Sequence, residues 1–171
     1  MISGRAAKQI DPTLKPEELA RQAYVKAVRL LGARDHSRAE ITAKLQRNGF
    51  NADTISQVLL ELGEAGYQSD ERFANLYAEQ LVRKHQGPLA ISAKLAARGI
   101  DSALSKQAIE NLGVCWGEIA AEALHARYSL TELTDSDQNQ KGKIARFLNR
   151  RGFSSTDSIK AIRLAIETVP E

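Results

Sequence analysis

The sequence predicts an all-α protein, an elongated and curved array of three tandem three-helix repeats of the helix-turn-helix type. Three observations predict this fold. A motif of 11 residues recurs three times along the chain. Apolar residues on both sides of each copy follow helical spacing, and no stretch alternates apolar and polar residues as a half-buried strand would. Aromatic residues make up only 5% of the chain, so its cores must be built from aliphatic side chains, which suits helix packing.

The repeated motif is a short helix with its stop signal. Each copy has isoleucine eight residues before a glycine, leucine four residues before it and a large apolar residue directly after it. An apolar pair at this spacing predicts the core stripe of a helix, and a glycine in the left-handed conformation is a common way to end one. The three copies occupy residues 40–50, 90–100 and 143–153.

A second helix is predicted to start directly after each copy. Asn51, Asp101 and Ser154 lie two residues past the three glycines. Their side-chain oxygens can accept a hydrogen bond from a free backbone amide in the first turn of a helix. Each unit therefore contains a helix-turn-helix pair.

The first repeat is predicted to span residues 16–67, after an N-terminal arm at residues 1–15 that lacks apolar periodicity and is expected to be mobile. Its first helix starts at Pro16, since proline needs no amide partner there. Its middle helix starts with a capping box, in which Ser37 bonds the amide of Glu40 and the Glu40 carboxylate reaches back to the amide of Ser37.

The second repeat is predicted to span residues 68–113. Ser69 is suited to cap its first helix, and Gly87-Pro88 places proline at the first position of its middle helix. The third repeat is predicted to span residues 114–171 and to begin near Trp116, which falls on an apolar face and is expected in the core. Residues 129–140 have few side chains that could pack, so they are predicted to be an exposed loop insertion.

The sequence lacks the residue patterns of an enzyme. No zinc-protease motif, paired metal-binding cysteines or phosphate-binding loop is present. His36, His85 and His125 are far apart, and each is predicted to be solvated or at a helix end. We therefore expect no catalysis, cofactor, metal or small-molecule substrate. The single cysteine, Cys115, cannot form an internal disulfide, and the absence of a leader or membrane span predicts a cytoplasmic protein.

Basic residues recur on the motif helices and predict a surface that faces an anion. The formal net charge is only +3, so their placement is more informative than their total. For any one of them, a solvated surface or a favourable helix end is an equally good explanation. The predicted anion-binding residues are Lys44, Arg47, Lys94, Arg98, Lys141, Lys143, Arg146, Arg150 and Arg151.

Several segments together resemble the RecX family of regulatory proteins. They cover about Ala23 to Ile166 and include residues 34–41 with Lys44-Leu45, Gly66-Tyr67 with residues 70–74, Gly87-Pro88 with Gly99-Ile100, and the basic run at 143–153. The middle repeat departs from the family pattern, because Leu89, Ala90 and Ser92 stand where further basic residues are common. The anionic contact is therefore expected mainly in the first and third repeats.

The resemblance implies a modulator of the RecA recombinase. Such a protein would lodge in the groove of the RecA filament on single-stranded DNA and restrain its strand exchange, ATP hydrolysis and co-protease function. A repeat array would gain affinity from several modest contacts made at once. We expect it to act as a monomer, with direct DNA contact as an open question. Two other functions remain open at this point: a stand-alone basic helix-turn-helix protein that binds DNA, and a helical scaffold for an unrelated partner.

Overall fold

The computed structural model describes residues 15–134 and 137–167, and these form helices without any β-strand. Residues 1–14 of the predicted arm lie outside the described part. No helix in the described ranges is long and apolar enough to span a bilayer. The helices are α1 (Pro16–Leu31), α2 (Arg38–Gln46), α3 (Ala52–Glu64), α4 (Asp70–Val82), α5 (Pro88–Ala96), α6 (Ser102–Asn111), α7 (Trp116–His125), α8 (Leu130–Thr134), α9 (Gln138–Arg151) and α10 (Ser155–Glu167).

The helix order confirms an all-α fold of tandem helical repeats. Helices α1–α3 and α4–α6 are the first two sets of three, and α7, α9 and α10 form a third set that also contains the short α8. The chain divides into two compact units. The first contains α1, α2 and α3 together with Arg98–Ile100, and the second contains the remaining residues from Ala74 onward.

Each unit has an apolar core that is mostly aliphatic. In the first unit, α1 packs on α2 and α3. In the second, α10 packs on α7, α8 and α9. The core of the first unit consists of Ala23, Ala27, Ile41, Leu45, Phe50, Ile55, Val58, Leu59 and Leu62. The isoleucine and leucine of every motif copy are buried, as their spacing predicts.

The predicted glycine stops are confirmed. Gly49, Gly99 and Gly152 have φ values of 88°, 78° and 87°, in the left-handed region that glycine adopts without a steric penalty. The Phe153 amide donates to the Leu148 carbonyl at 3.1 Å and closes the last turn of α9. Phe153 is thereby folded back into the core and is only 3% exposed.

The predicted N-caps after these stops are also confirmed. Asn51 Oδ1 accepts from the Thr54 amide at 2.8 Å, and Asp101 Oδ1 accepts from the Leu104 amide at 2.9 Å. Ser154 Oγ accepts from the Asp157 amide at 3.0 Å. Each cap satisfies one of the backbone amides that the first turn of a helix leaves without an internal partner.

In the first unit, the helix stop of the second motif copy contacts the start of α2. The Ser37 hydroxyl, which caps α2, donates to the Arg98 carbonyl at 2.6 Å. Gly99 lies so close to Ala39 that a β-carbon on the glycine would overlap the Ala39 β-carbon. The glycine is therefore required for close approach as well as for its backbone conformation.

The second unit contains the same kind of joint. The Gly87 amide donates to the Arg151 carbonyl at 2.8 Å, and the Leu89 amide donates to the Gly152 carbonyl at 3.1 Å. Ser37 and Gly87 each lie twelve residues before the glycine of their own motif copy. At both places the start of a helix in one repeat contacts the helix stop of the next repeat. The carbonyls of that stop accept from a capping hydroxyl at the first joint and from free backbone amides at the second.

The prediction of a loop insertion at residues 129–140 is wrong for most of its length. Residues 130–134 form α8, and α9 already begins at Gln138 with Asp137 Oδ1 accepting from the Gln140 amide at 2.7 Å. Leu133 is 1% exposed and belongs to the core formed by α7, α9 and α10. One buried leucine in a five-residue helix produces no periodic signal, so the pattern could not indicate it.

Substituting Leu133 with alanine should destabilise this core by about 3 kcal/mol, because a fully buried leucine leaves a cavity that the helices cannot close. Leu130, three residues earlier, is 39% exposed, so Leu130→Ala is a matched control in the same helix and should cost less than about 0.5 kcal/mol. Urea unfolding followed by the fluorescence of Trp116, which packs against this core, measures both changes. Equal effects of the two substitutions would show that α8 does not anchor the core.

Candidate anion-binding surface

The most continuous basic stripe lies on α9. Lys143, Arg146 and Arg150 are all exposed, and their spacing of three and four residues brings them to one face of the helix. The sequence has no acidic residue between Asp137 and Asp157. None of the three cations has a carboxylate within 4.0 Å in the part of the chain that the structure describes. Their charge is therefore available to a partner.

The residue directly before each motif glycine has a partner within the molecule. Asn48 donates from Nδ2 to the Lys44 carbonyl at 2.6 Å. Arg98 forms an ion pair with Glu40. Arg151 donates from its guanidinium to the Lys84 carbonyl at 2.7 Å. Of the predicted site residues, Arg98 and Arg151 thus stabilise the joints between repeats.

The residue two positions before each glycine is directed to solvent in every repeat. Arg47, Ala97 and Arg150 occupy this position, and all three are exposed. The Arg47 Nε donates to the Ala43 carbonyl at 3.1 Å, within the last turn of its own helix. Arg47 and Arg150 are therefore equivalent outward cations, and the middle repeat has alanine in their place.

The three lysines among the predicted residues outside the stripe differ in placement. Lys44 is partly buried beside the core of the first unit, whereas Lys94 and Lys141 are exposed. The spacing of Lys141 from Lys143 and Arg146 places it on the opposite flank of α9 from the stripe. The structure thus brings together three of the five predicted cations of the third repeat on one helix face.

Glu40, a partly buried acid in the first unit, was not predicted as a charge centre. The Glu40 carboxylate accepts from Arg34 Nη1 and Nη2 at 3.0 Å each, and it is also paired with Arg98. Ser37 Oγ accepts from the Glu40 amide at 3.1 Å as predicted, but the reciprocal half of the capping box is wrong because the two arginines bind the carboxylate. Burial raises the pKa of Glu40, and the hydrogen bond and charge of Arg34, with those of Arg98, outweigh it, so the net pKa is lowered.

The Glu40→Gln variant should be less stable than the parent by about 1–2 kcal/mol at pH 7, because two partly exposed guanidinium groups lose their shared anion. A carboxyl whose pKa is lowered by folding stabilises the fold above its unfolded pKa and loses that effect as pH falls through the folded value. The difference in the free energy of unfolding between the parent and the variant should therefore disappear at a pH well below 4.5, the ordinary pKa of a glutamate. Urea unfolding at neutral and strongly acidic pH tests this, and a difference that persists in acid would contradict the ion-pair explanation.

Arg127 is a further cation near the end of α9 that the sequence did not indicate. Its guanidinium carbon lies 5.3 Å from the centre of the Phe147 ring, and that of Arg151 lies 5.2 Å from the same ring. Tyr128 meets Phe147 edge to face at 5.8 Å. Cations at this distance from an aromatic ring are attracted to its π face. The end of α9 therefore gathers Arg127 and Arg151 around one buried phenylalanine.

His36 lies at a helix end, directly before the N-cap of α2, as one of the two predicted alternatives has it, but it is not solvated. Its side chain is buried, with Nδ1 at 3.0 Å from the Arg34 carbonyl, and burial lowers its pKa. His125 is exposed in the last turn of α7, as predicted for a helix-end histidine. His85 follows α4 with φ of 51° and is half-buried, with its Nδ1 3.5 Å from a Glu122 carboxylate oxygen.

Models of protein families match two segments of the chain. The first three-helix domain of RecX matches residues 23–62, and the second three-helix domain of RecX matches residues 69–109. These ranges coincide with most of α1–α3 and α4–α6. The matched segments therefore correspond to the first two structural repeats.

Similarity to individual proteins extends beyond these two segments. The chain is 36% identical to the regulatory protein RecX of Chromohalobacter salexigens over 127 residues, which are 74% of this chain and 82% of the relative. It is 35% identical to the regulatory protein RecX of Stenotrophomonas maltophilia over 135 residues, which are 79% and 81% of the two chains.

Solved structures show the same fold. The crystal structure of RecX from Lactobacillus salivarius matches with a TM-score of 0.78 at 22% identity and covers 89% of this chain and 99% of that one. A second crystal structure of regulatory protein RecX matches with a TM-score of 0.73 at 17% identity, covering 89% and 73%. Sequence similarity of this extent and the shared arrangement of three-helix domains lead to one conclusion: the chain belongs to the RecX family of regulatory proteins.

Proposed function

We propose that this RecX-family chain binds the RecA filament on single-stranded DNA in the cytoplasm and inhibits its ATP hydrolysis, strand exchange and co-protease activity. It would act by binding and not by chemistry of its own. The observation that supports this most directly is the stripe of Lys143, Arg146 and Arg150, whose charges have no acidic partner among the described residues. A filament that carries DNA offers phosphates and acidic side chains as counterparts.

The proposed contact set is smaller than the set of basic residues in the motif helices. Arg98 and Arg151 bond to residues of another repeat, so they support the fold, whereas Arg47 bonds only within the last turn of its own helix. The proposed contacts are Lys44, Arg47, Lys94, Lys141, Lys143, Arg146 and Arg150. The first repeat supplies Lys44 and Arg47, and the third repeat supplies the stripe with Lys141 on the other flank of α9, while Lys94 is alone in the middle repeat. Two modest contacts on one chain strengthen each other, since the second forms at a high effective concentration once the first is made.

A titration of the chain into RecA, single-stranded DNA and ATP tests the proposal. ATP hydrolysis should fall in a saturable manner as the chain is added, because binding in the filament impedes its extension. If ATP hydrolysis by RecA is unchanged at a saturating concentration of this protein, the proposed function is contradicted.

A gel shift without RecA separates this function from stand-alone DNA binding. The proposal predicts weak association with duplex DNA in the absence of RecA. Tight binding to duplex DNA that falls steeply with salt would instead favour the basic helix-turn-helix alternative.

A further inference from the structure

A groove outside the proposed contact set runs along the outer face of α1. It has a volume of about 510 Å³ and lies between α1 and the turn that ends α2, within the first unit. It is lined by Glu18, Arg21, Gln22, Val25, Lys26, Arg29 and Phe50. Neither the nine predicted cations nor the proposed filament contacts include any of these residues.

The groove has a positive rim. Arg21 and Arg29 are exposed, and in the described part of the chain neither has a carboxylate within 4.0 Å. Lys26 lies with its ammonium 6.0 Å from the centre of the Phe50 ring. Glu18, the one acid of the groove, has its carboxylate within 3.3 Å of the Lys15 amide, where it caps α1. The groove is therefore lined by three cations and one acid, and the carboxylate of that acid already accepts a hydrogen bond from the Lys15 amide.

The floor of the groove is apolar. Val25 is an apolar side chain on the exposed face of α1, where its neighbours are polar, and it is 43% exposed. It stands four residues from Arg21 and four residues from Arg29. Four residues of α-helix rise by about 6 Å, so the valine lies midway between two cations that are about 12 Å apart along α1.

This spacing matches an extended peptide. Alternate side chains of a strand point to the same side and are about 6.6 Å apart. An apolar side chain seated on Val25 would thus have the side chains two positions before and after it near Arg21 and Arg29. If those two residues are aspartate or glutamate, each carboxylate meets one guanidinium while the apolar side chain leaves water.

A protein segment fits the groove better than a nucleic acid. Nucleic acid bases bind single-strand grooves by stacking on open aromatic faces. The only aromatic ring of the groove, Phe50, is 7% exposed and belongs to the core, so it offers no such face. Val25 has no hydrogen-bonding group for a base edge, and a phosphate chain would leave it in water.

We propose that this groove binds an extended acidic segment of a partner protein in which an apolar residue lies midway between two carboxylates. The inference does not depend on the RecA proposal, because the site can be probed with the full chain and a short peptide alone. Its failure would leave the filament assay unaffected, and the reverse is also true.

Fluorescence anisotropy with labelled peptides tests the proposal. A peptide with the core Glu-Ser-Leu-Ser-Glu should bind at low ionic strength with a Kd of about 1 mM, the affinity that two exposed charge pairs and one apolar contact supply. Replacing its leucine with serine, or both glutamates with lysine, should each weaken binding at least about tenfold. Absence of binding by the first peptide at about 1 mM would overturn the proposal.

Two variants of the chain locate the site. Arg21→Glu with Arg29→Glu should weaken peptide binding at least about tenfold. Lys106→Glu with Arg163→Glu makes the same change of net charge at exposed residues of the second unit and should leave binding unchanged. Circular dichroism should show both variants folded. An equal loss of peptide binding in the two variants would overturn the proposal, since it would indicate an effect of net charge. The proposal would also be overturned if binding of a single-stranded oligonucleotide required Arg21 and Arg29 while binding of the peptide did not.

Discussion

Gly152→Ala should destabilise the second unit by about 4 kcal/mol, more than any other single substitution considered for this chain. The left-handed backbone at φ of 87° costs a non-glycine residue about 1–2 kcal/mol. The new β-carbon would also overlap the backbone nitrogen of Ala90, which cannot rotate away as a side chain could. Relief of this overlap must separate the helix stop of α9 from the start of α5.

That separation breaks two specific hydrogen bonds. The Gly87 amide loses the Arg151 carbonyl and the Leu89 amide loses the Gly152 carbonyl. Each bond contributes about 1 kcal/mol to stability, and the buried groups that remain unpaired add to the loss. The joint between the second and third repeats is therefore expected to open before either helix unfolds.

Gly113→Ala is the matched control for this experiment. Gly113 lies in the same unit with φ of 60°, and nothing lies within 4 Å of the place where its β-carbon would be. It should cost only the backbone penalty of about 1–2 kcal/mol. Urea unfolding followed by Trp116 fluorescence measures both variants. Equal losses for the two glycines would show that close approach at Gly152 does not contribute to stability.

The helices that form these joints could be predicted from residue patterns within each helix. The joints themselves could not, because they connect residues far apart in the sequence. The left-handed φ of Gly49, Gly99 and Gly152 follows from the residues beside each glycine, since the helix stop is formed within one turn. The hydrogen bond from Ser37 to the Arg98 carbonyl links residues 61 positions apart, and no local pattern indicates such a pair. The same limit explains why the capping box at Glu40 was only half correct.

The basic residues of the motif helices fall into two groups, those in joints between repeats and those in solvent, and local sequence patterns do not distinguish the two groups. Arg98 lies one residue before its glycine and Arg47 lies two residues before its own, a difference of one step along the helix. One step turns a side chain by about 100°, which separates a residue in the joint from one in solvent. Composition and spacing therefore predicted that cations recur on these helices, but only the packing shows which of them have partners within the molecule.

Reversing the charges of Lys143, Arg146 and Arg150 to glutamate should weaken association with the RecA filament by about 100-fold, if the proposed function holds. Each substitution removes an attraction and adds a repulsion at a surface that would face phosphates or carboxylates. The fold should persist because the three side chains are exposed, whereas Ile144, Phe147 and Leu148 on the buried face of α9 are unchanged. The midpoint of the ATP hydrolysis titration should shift by the same factor.

Two comparisons separate a contact surface from a general effect of charge or stability. A triple reversal of Arg83, Lys106 and Arg163 changes the net charge equally at exposed residues of the second unit, and it should leave the titration midpoint within about twofold. Arg151→Ala should instead lower stability with little effect on binding, because its guanidinium bonds the Lys84 carbonyl. If the Arg83, Lys106 and Arg163 variant loses as much affinity as the α9 variant, the stripe is not the contact surface, and the attraction depends on total charge alone.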